Sequence, residues 1–231
     1  MHKTYPATAS LQNLIIFLHG YNDCIANHEQ TADLLCQKLP HAQIVLPQSD
    51  EPCDKNPQQR QWFGMMSYDA ENKRTQPETS VPEIFRIYHK AEADICRCSG
   101  EINNFINTLQ QKYLIDNRHT YLIGFSQGAM LTIYTALSRT TTLGGAFVLS
   151  GLVAGRASLA EKINSQPPLY LFHGKKDLKV QYKTVKSTAT WLRHRGIPTT
   201  VFSFDNLSHH VTEQEIDIIA DIINSTTAKF R

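Results

Sequence analysis

The sequence predicts a doubly wound α/β sheet, mostly parallel, with helices on both faces. Three observations carry that expectation. Short, continuously apolar stretches recur along the chain, as strands covered on both faces require. Between them lie segments whose apolar residues repeat at helical spacing. No Gly/Ser-rich or Pro-rich linker divides the 231 residues, 41% of them hydrophobic, so residues 1–231 are expected to form one domain with a sizeable core.

The first such strand is Leu14-Ile15-Ile16-Phe17-Leu18, which runs into His19-Gly20. The turn beyond it, Tyr21-Asn22-Asp23, therefore falls at the C-terminal edge of the sheet, where open α/β sheets bind ligands. Leu34, Leu35 and Leu39 among polar residues predict a helix from about 27 to 39, closed by Pro40, and Ile44-Val45-Leu46 gives a short second strand. From about 47 to 82 the pattern turns irregular. Pro47, Pro52 and Pro57 precede Arg60-Gln61-Trp62-Phe63-Gly64-Met65-Met66 and the charged Glu71-Asn72-Lys73-Arg74. An excursion of that length suits a lid or a substrate loop. Trp62, Phe63, Met65 and Met66 are its most apolar part, and two roles are open to them: pinning the loop to the core or lining an acyl pocket.

Ile95, Ile102, Ile106 and Leu109 predict a long helix between 91 and 113. It leads to the apolar stretch Tyr121-Leu122-Ile123, which is followed by a largely buried helix ending near Ser138. Gly145 to Ser150 and Leu169 to Phe172 read as further buried strands, and the second ends in His173-Gly174-Lys175-Lys176-Asp177. Residues 180–194 are helical in pattern and stop at Gly196. Thr199 to Phe204 is β-branched and aromatic, hence a strand. Thr212-Glu213-Gln214-Glu215 is a capping box that opens a last helix with Ile216, Ile219, Ile222 and Ile223 facing inward.

The net charge is +2 with both signs interspersed, so neither a nucleic-acid surface nor an anionic-membrane surface is indicated. No apolar run approaches the ~18 residues that would span a bilayer, and Met1-His2-Lys3-Thr4-Tyr5-Pro6 lacks the apolar core of a secretory signal. Five cysteines in no framework spacing suit reduced thiols in the cytoplasm. Cys96 and Cys98 resemble half of a metal site, but no second pair stands at ligand spacing, so they are read as helix residues.

Chemistry concentrates at Gly124-Phe125-Ser126-Gln127-Gly128-Ala129. A Gly-x-Ser-x-Gly turn between strand and helix lifts a serine hydroxyl clear of the backbone and holds it in strained φ/ψ, with glycines where a Cβ would clash. A serine needs a base, usually a histidine oriented by a carboxylate. Asp177 lies just past a strand at the sheet edge that presents Ser126. Asp205 competes for the acid position, but it sits so near the candidate histidines that it could not easily support one from behind. His209 and His210 follow the last strand, and only one can point at the serine; His209 is preferred. His19 and His173 join them in a set of four that lacks the short ligand spacing of metal motifs, so no metal and no cofactor is expected, and His19 is read as shaping its loop. The tetrahedral oxyanion of acyl transfer needs backbone donors, supplied here by Gln127 and Tyr21.

Four blocks, in order and spread over most of the chain, resemble the phospholipase/carboxylesterase branch of α/β-hydrolases, which includes acyl-protein thioesterases. They are Leu18-His19-Gly20-Tyr21-Asn22-Asp23, Arg60-Gln61-Trp62-Phe63, Gly124-Phe125-Ser126-Gln127-Gly128-Ala129 and His173-Gly174-Lys175-Lys176-Asp177. The resemblance implies an α/β-hydrolase fold and a serine esterase with nucleophile Ser126, acid Asp177, base His209 and oxyanion donors Tyr21 and Gln127. Three departures stand out. Asn206-Leu207-Ser208-His209 replaces a Gly-x-Gly-His context, Gly64 stands where aspartate commonly follows Trp-Phe, and Gln181 stands where proline commonly follows the valine. The expected partner is a carboxylic ester or thioester, with a lipid or acylated protein as its larger forms and a homodimer as an option. Lysophospholipase or acyl-protein thioesterase activity is the narrower alternative. A catalytically silent binding module on the same scaffold is the reading from another class, and it would retain ligand without turnover.

Overall fold

The computed structural model describes residues 1–228. Seven strands form one sheet: β1 His2–Tyr5, β2 Asn13–Leu18, β3 Ala42–Pro47, β4 Thr120–Phe125, β5 Gly145–Leu149, β6 Leu169–Gly174 and β7 Thr199–Phe204. Their order across the sheet is β1-β3-β2-β4-β5-β6-β7, and every pairing is parallel except that of β1 with β3. The chain steps outward from β2 to β3 and then returns to lay β4 on the other side of β2. Strand order therefore reverses between β2 and β4, the place where open α/β sheets leave a crevice at the carboxyl ends.

Among the described residues, eight α-helices flank the sheet: α1 Glu29–Lys38, α2 Met66–Asp69, α3 Val81–Lys90, α4 Glu92–Tyr113, α5 Gln127–Ser138, α6 Arg156–Lys162, α7 Thr184–Arg193 and α8 Glu213–Ala228. Alternation along each strand divides the core into two layers. Leu14, Ile16 and Leu18 of β2 face a cluster built with α3, α4, α5 and α7, while Ile15 and Phe17 face one built with α1 and α8. Helix α5 is buried from Gln127 to Leu137, so the segment that follows the serine is enclosed on every side. This is an α/β-hydrolase fold with helices on both faces of a mostly parallel sheet.

Four elements lie outside the sequence reading, among them α2, a single turn within the irregular 47–82 stretch. β1 is a half-exposed edge strand with no apolar alternation. Helix α3 begins beside Pro82, and Ser80 caps it by accepting from the Glu83 N–H, an N-cap with proline in the first turn. Helix α6 is seven residues long, too short to show a period. The helix expected from 180 begins at Thr184, because Asp177 Oδ1 accepts from the N–H groups of Lys179 and Val180 at 2.8 and 2.9 Å and holds 178–183 in turns. The capping box at Thr212 is formed: Glu215 accepts from the Thr212 N–H at 2.9 Å, and the Glu215 N–H donates back to the Thr212 hydroxyl.

Candidate active site

Ser126 sits between β4 and α5 at φ 54 and ψ −113, far from the α and β basins open to a serine. The surroundings hold it there. Its N–H donates to the Leu149 carbonyl at 2.9 Å, and its carbonyl accepts from Met130 at 3.2 Å. A Cβ on Gly124 would stand 2.3 Å from the Gly128 carbonyl oxygen, and one on Gly128 would stand 2.4 Å from that of Leu18. Both distances are impossible, so each glycine is required by the close approach of backbone to backbone.

Asp177 leaves the end of β6 and His209 lies beyond β7. His209 Nδ1 is 2.7 Å from Asp177 Oδ2, and His209 Nε2 is 3.0 Å from Ser126 Oγ. In the tautomer that fits both contacts, Nδ1–H donates to the carboxylate and Nε2 accepts from the serine hydroxyl. Burial opposes ionisation of Asp177, but hydrogen bonds from His173 and His209 outweigh it and hold the carboxyl below its usual range. His173 is itself buried and donates to the Val180 carbonyl at 2.7 Å, so it braces the acid loop from beneath.

The two close alternatives lie elsewhere. His210 is exposed and meets Ser208 Oγ at 3.0 Å. Asp205 is exposed and pairs with Lys175 at 2.6 Å. The loop that brings His209 into place needs no glycine of its own, since no residue from 205 to 209 has positive φ. The small residue is across from it: a Cβ on Gly174 would meet the Leu207 carbonyl oxygen at 2.2 Å, so β6 must end in glycine for the base loop to pass.

Tyr21 and Gln127 both line the cleft beside Ser126, and no hydrogen bond from either backbone N–H is found among the described residues. The Gln127 side chain, which the sequence reading did not use, accepts from the Trp62 N–H at 2.8 Å and donates to the Phe63 carbonyl at 2.7 Å. The Trp62 indole donates to the His19 carbonyl at 2.9 Å and stacks on the His19 ring at 4.8 Å. His19 donates through Nδ1 to the Gly20 carbonyl and accepts at Nε2 from the Ser49 N–H, so it shapes the loop after β2. Burial pushes its pKa down to about 4, more than the Gly20 hydrogen bond restores.

A cavity of about 360 Å³ opens on Ser126 and His209. Of the four residues of the 62–66 stretch, Met65 lines it. Trp62 and Phe63 lie in the core at 6% and 0% exposure, and Met66 is half-buried away from the cavity wall. For Trp62 and Phe63 the pinning role is the one that the packing supports. Gly64 abuts Asp54, whose Oδ2 would lie 3.3 Å from a Cβ at 64 and accepts from Met65 and Met66 N–H at 2.7 and 2.8 Å. A carboxylate thus reaches this turn from residue 54. Gln181 donates to the carbonyls of Arg74 and Gln76, both at 2.8 Å, and Lys183 donates to that of Pro77 at 2.7 Å, so the turns between the acid and α7 fasten the 74–77 part of the excursion. Arg74, Tyr88, Asn22 and Met130 line the cavity without having been singled out from the sequence.

Cys96 and Cys98 do not converge on one point. Cys98 donates to the Trp62 carbonyl at 2.8 Å, and Cys96 lies 2.7 Å from the Lys162 ammonium. All five cysteines are unpaired. Among the described residues, no helix is long and apolar enough to cross a membrane.

The chain is similar to several known proteins. Over 135 residues the chain is 33% identical to acyl-protein thioesterase 1 homolog 1 of Dictyostelium discoideum, a match spanning 56% of this chain and 60% of that relative. Identity to carboxylesterase SOBER1 of Arabidopsis thaliana is 24% over 216 residues, 90% of this chain and 88% of the relative. The crystal structure of esterase PE8 superposes with a TM-score of 0.81 at 22% identity and 97% coverage of both chains, which demonstrates a shared fold. The model of one hydrolase family matches residues 3–227, nearly the whole chain, and on that match the chain belongs to the phospholipase/carboxylesterase family.

Proposed function

We propose that this chain is a serine esterase, which hydrolyses carboxylic esters or thioesters through an acyl-enzyme on Ser126. The observation that carries the reading is the continuous contact from Asp177 through His209 to Ser126, at 2.7 and 3.0 Å, beside a cavity open to substrate.

In the first half-reaction His209 Nε2 takes the Ser126 hydroxyl proton as Oγ bonds to the substrate carbonyl carbon. The carbonyl π electrons move to oxygen, and the backbone N–H groups of Tyr21 and Gln127 donate to the resulting oxyanion, an effect on the order of 3 kcal/mol per donor. The oxyanion collapses, the bond to the leaving oxygen or sulfur breaks, and the His209 imidazolium protonates the leaving group. Asp177 stays ionised throughout and stabilises that imidazolium. In the second half-reaction His209 deprotonates water, which attacks the acyl carbon and returns Ser126 with a free acid.

Labelling with a fluorophosphonate tests the reading. The folded protein is expected to gain one adduct on the Ser126 peptide and Ser126→Ala none; equal labelling of the two, or none of either, overturns it.

A further inference from the structure

The cleft beside Ser126 is not lined by apolar side chains alone. Three cationic side chains line it, Lys55, Arg74 and Lys179, and no carboxylate does. The nearby acids are engaged elsewhere. Asp54 accepts from the Tyr21 hydroxyl and from the Met65 and Met66 N–H groups, and Asp177 is closed off behind His209. Lys55 and Lys179 are exposed, and their ammonium groups make no ion pair or hydrogen bond among the described residues.

Arg74 is the deep member of the three, at 8% exposure. Taking a guanidinium out of water is costly unless it is paired and hydrogen-bonded. Asp69 balances the charge at 2.7 Å but accepts from Nη1 alone, and a guanidinium carries five donors in a planar fork. The fork lies 5.8 Å from the Tyr21 ring and within hydrogen-bonding reach of the buried Tyr88 phenol, whose oxygen accepts from it and whose pKa burial pushes up to about 12. Its backbone is fixed, since the Lys73 and Arg74 N–H groups donate to Asp69 at 2.8 and 3.2 Å while Gln181 holds the Arg74 carbonyl. Asn22 Oδ1, in the same cleft, is a buried acceptor without a partner among the described residues, so it suits a donor on the substrate and stands apart from the groups that face the anion.

We infer that the cleft selects esters and thioesters that carry an anionic group, a carboxylate or a phosphate-like group, a few bonds from the scissile carbonyl. Arg74 binds the anion with the geometry that favours such groups, and Lys55 and Lys179 raise its concentration at the rim. The inference rests on the serine-esterase reading for its chemistry but not for its binding site.

Three p-nitrophenyl esters of matched chain length test it: the neutral hexanoate, the monoadipate and the ω-phosphono analogue. The unaltered enzyme is expected to favour at least one anionic ester over hexanoate by about tenfold or more in kcat/KM, and the preferred one identifies the anion. Arg74→Gln should lower that ratio about tenfold through KM, Arg74→Lys should restore part of it, and added salt should lower it. Asp69→Asn/Arg74→Gln removes the same charge without leaving a buried carboxylate unpaired, and Lys55→Gln/Lys179→Gln lowers the ratio from the surface. A ratio near one, or one that Arg74→Gln leaves unaltered, overturns the proposal. If none of the esters turns over, the esterase reading fails separately; calorimetric binding of adipate to Ser126→Ala, lost in Ser126→Ala/Arg74→Gln, then supports the anion site, and equal binding to both overturns it.

Discussion

Gln127 clasps the backbone of Trp62: its side-chain oxygen accepts the Trp62 N–H at 2.8 Å while its amide nitrogen donates to the next carbonyl, that of Phe63, at 2.7 Å. The residue after the nucleophile thus fastens the 60–66 stretch to the serine turn, through atoms separate from its own backbone N–H. Truncation in Gln127→Ala leaves two buried backbone groups without partners, each worth about 1–3 kcal/mol. Urea unfolding should show a loss of about 2 kcal/mol or more.

His209 and His210 are adjacent in sequence and differ in surroundings. Because His209 bridges Asp177 and Ser126 while His210 is exposed against Ser208, His209→Ala should lower kcat by about 10²–10⁴ and His210→Ala by less than about twofold. Asp177→Asn should cost about 10⁴ in kcat, because a neutral amide favours the wrong imidazole tautomer. Steady-state rates on one ester decide between the two histidines.

His19 ties stability to pH. Its ring must be neutral for Nε2 to accept the Ser49 N–H, and burial holds its pKa at about 4 against 6.5 in the unfolded chain. The unfolded state therefore binds the proton first as pH falls. The stability it contributes is complete above about pH 6.5 and declines by about 1.4 kcal/mol per pH unit down to about pH 4. Asp23 and Asp177, both held below the usual carboxylate range, add acid sensitivity only below about pH 4. Between pH 7 and pH 5 the unaltered protein should lose about 2 kcal/mol more unfolding free energy than His19→Gln; equal losses would show that the histidine is not buried neutral.

Chain length is limited by the cavity. Trp62 and Phe63 are spent on the core, and about 360 Å³ shared with Arg74 and Tyr88 leaves little apolar depth. Rates on p-nitrophenyl esters from acetyl to palmitoyl should peak among the short chains. A maximum at palmitoyl would instead favour a long-chain acyl-protein thioesterase role.

The sheet and the serine turn are legible in the sequence because strands buried on both faces leave continuous apolar runs, and because backbone crowding at Gly124 and Gly128 admits no side chain. Asp177 and His209 follow from their places after strands. Arg74 does not, because an irregular stretch from 47 to 82 has no period from which to place a side chain. Its position depends on Asp69 and on Gln181, more than 100 residues downstream. Trp62 and Phe63 were open to two roles for a similar reason: apolar character does not distinguish a pocket wall from a core, and their hydrogen bonds to Gln127 and His19 are tertiary. The β1 edge strand was hidden by its exposure, and α6 by its brevity.

The most direct measurement is the pre-steady-state reaction of a p-nitrophenyl ester with the enzyme, quenched in acid and mapped by mass spectrometry. A burst of one nitrophenol per active site is expected, with the acyl group on the Ser126 peptide and neither burst nor adduct in Ser126→Ala. Turnover that persists in Ser126→Ala, or an acyl group on any other residue, would contradict a Ser126 acyl-enzyme.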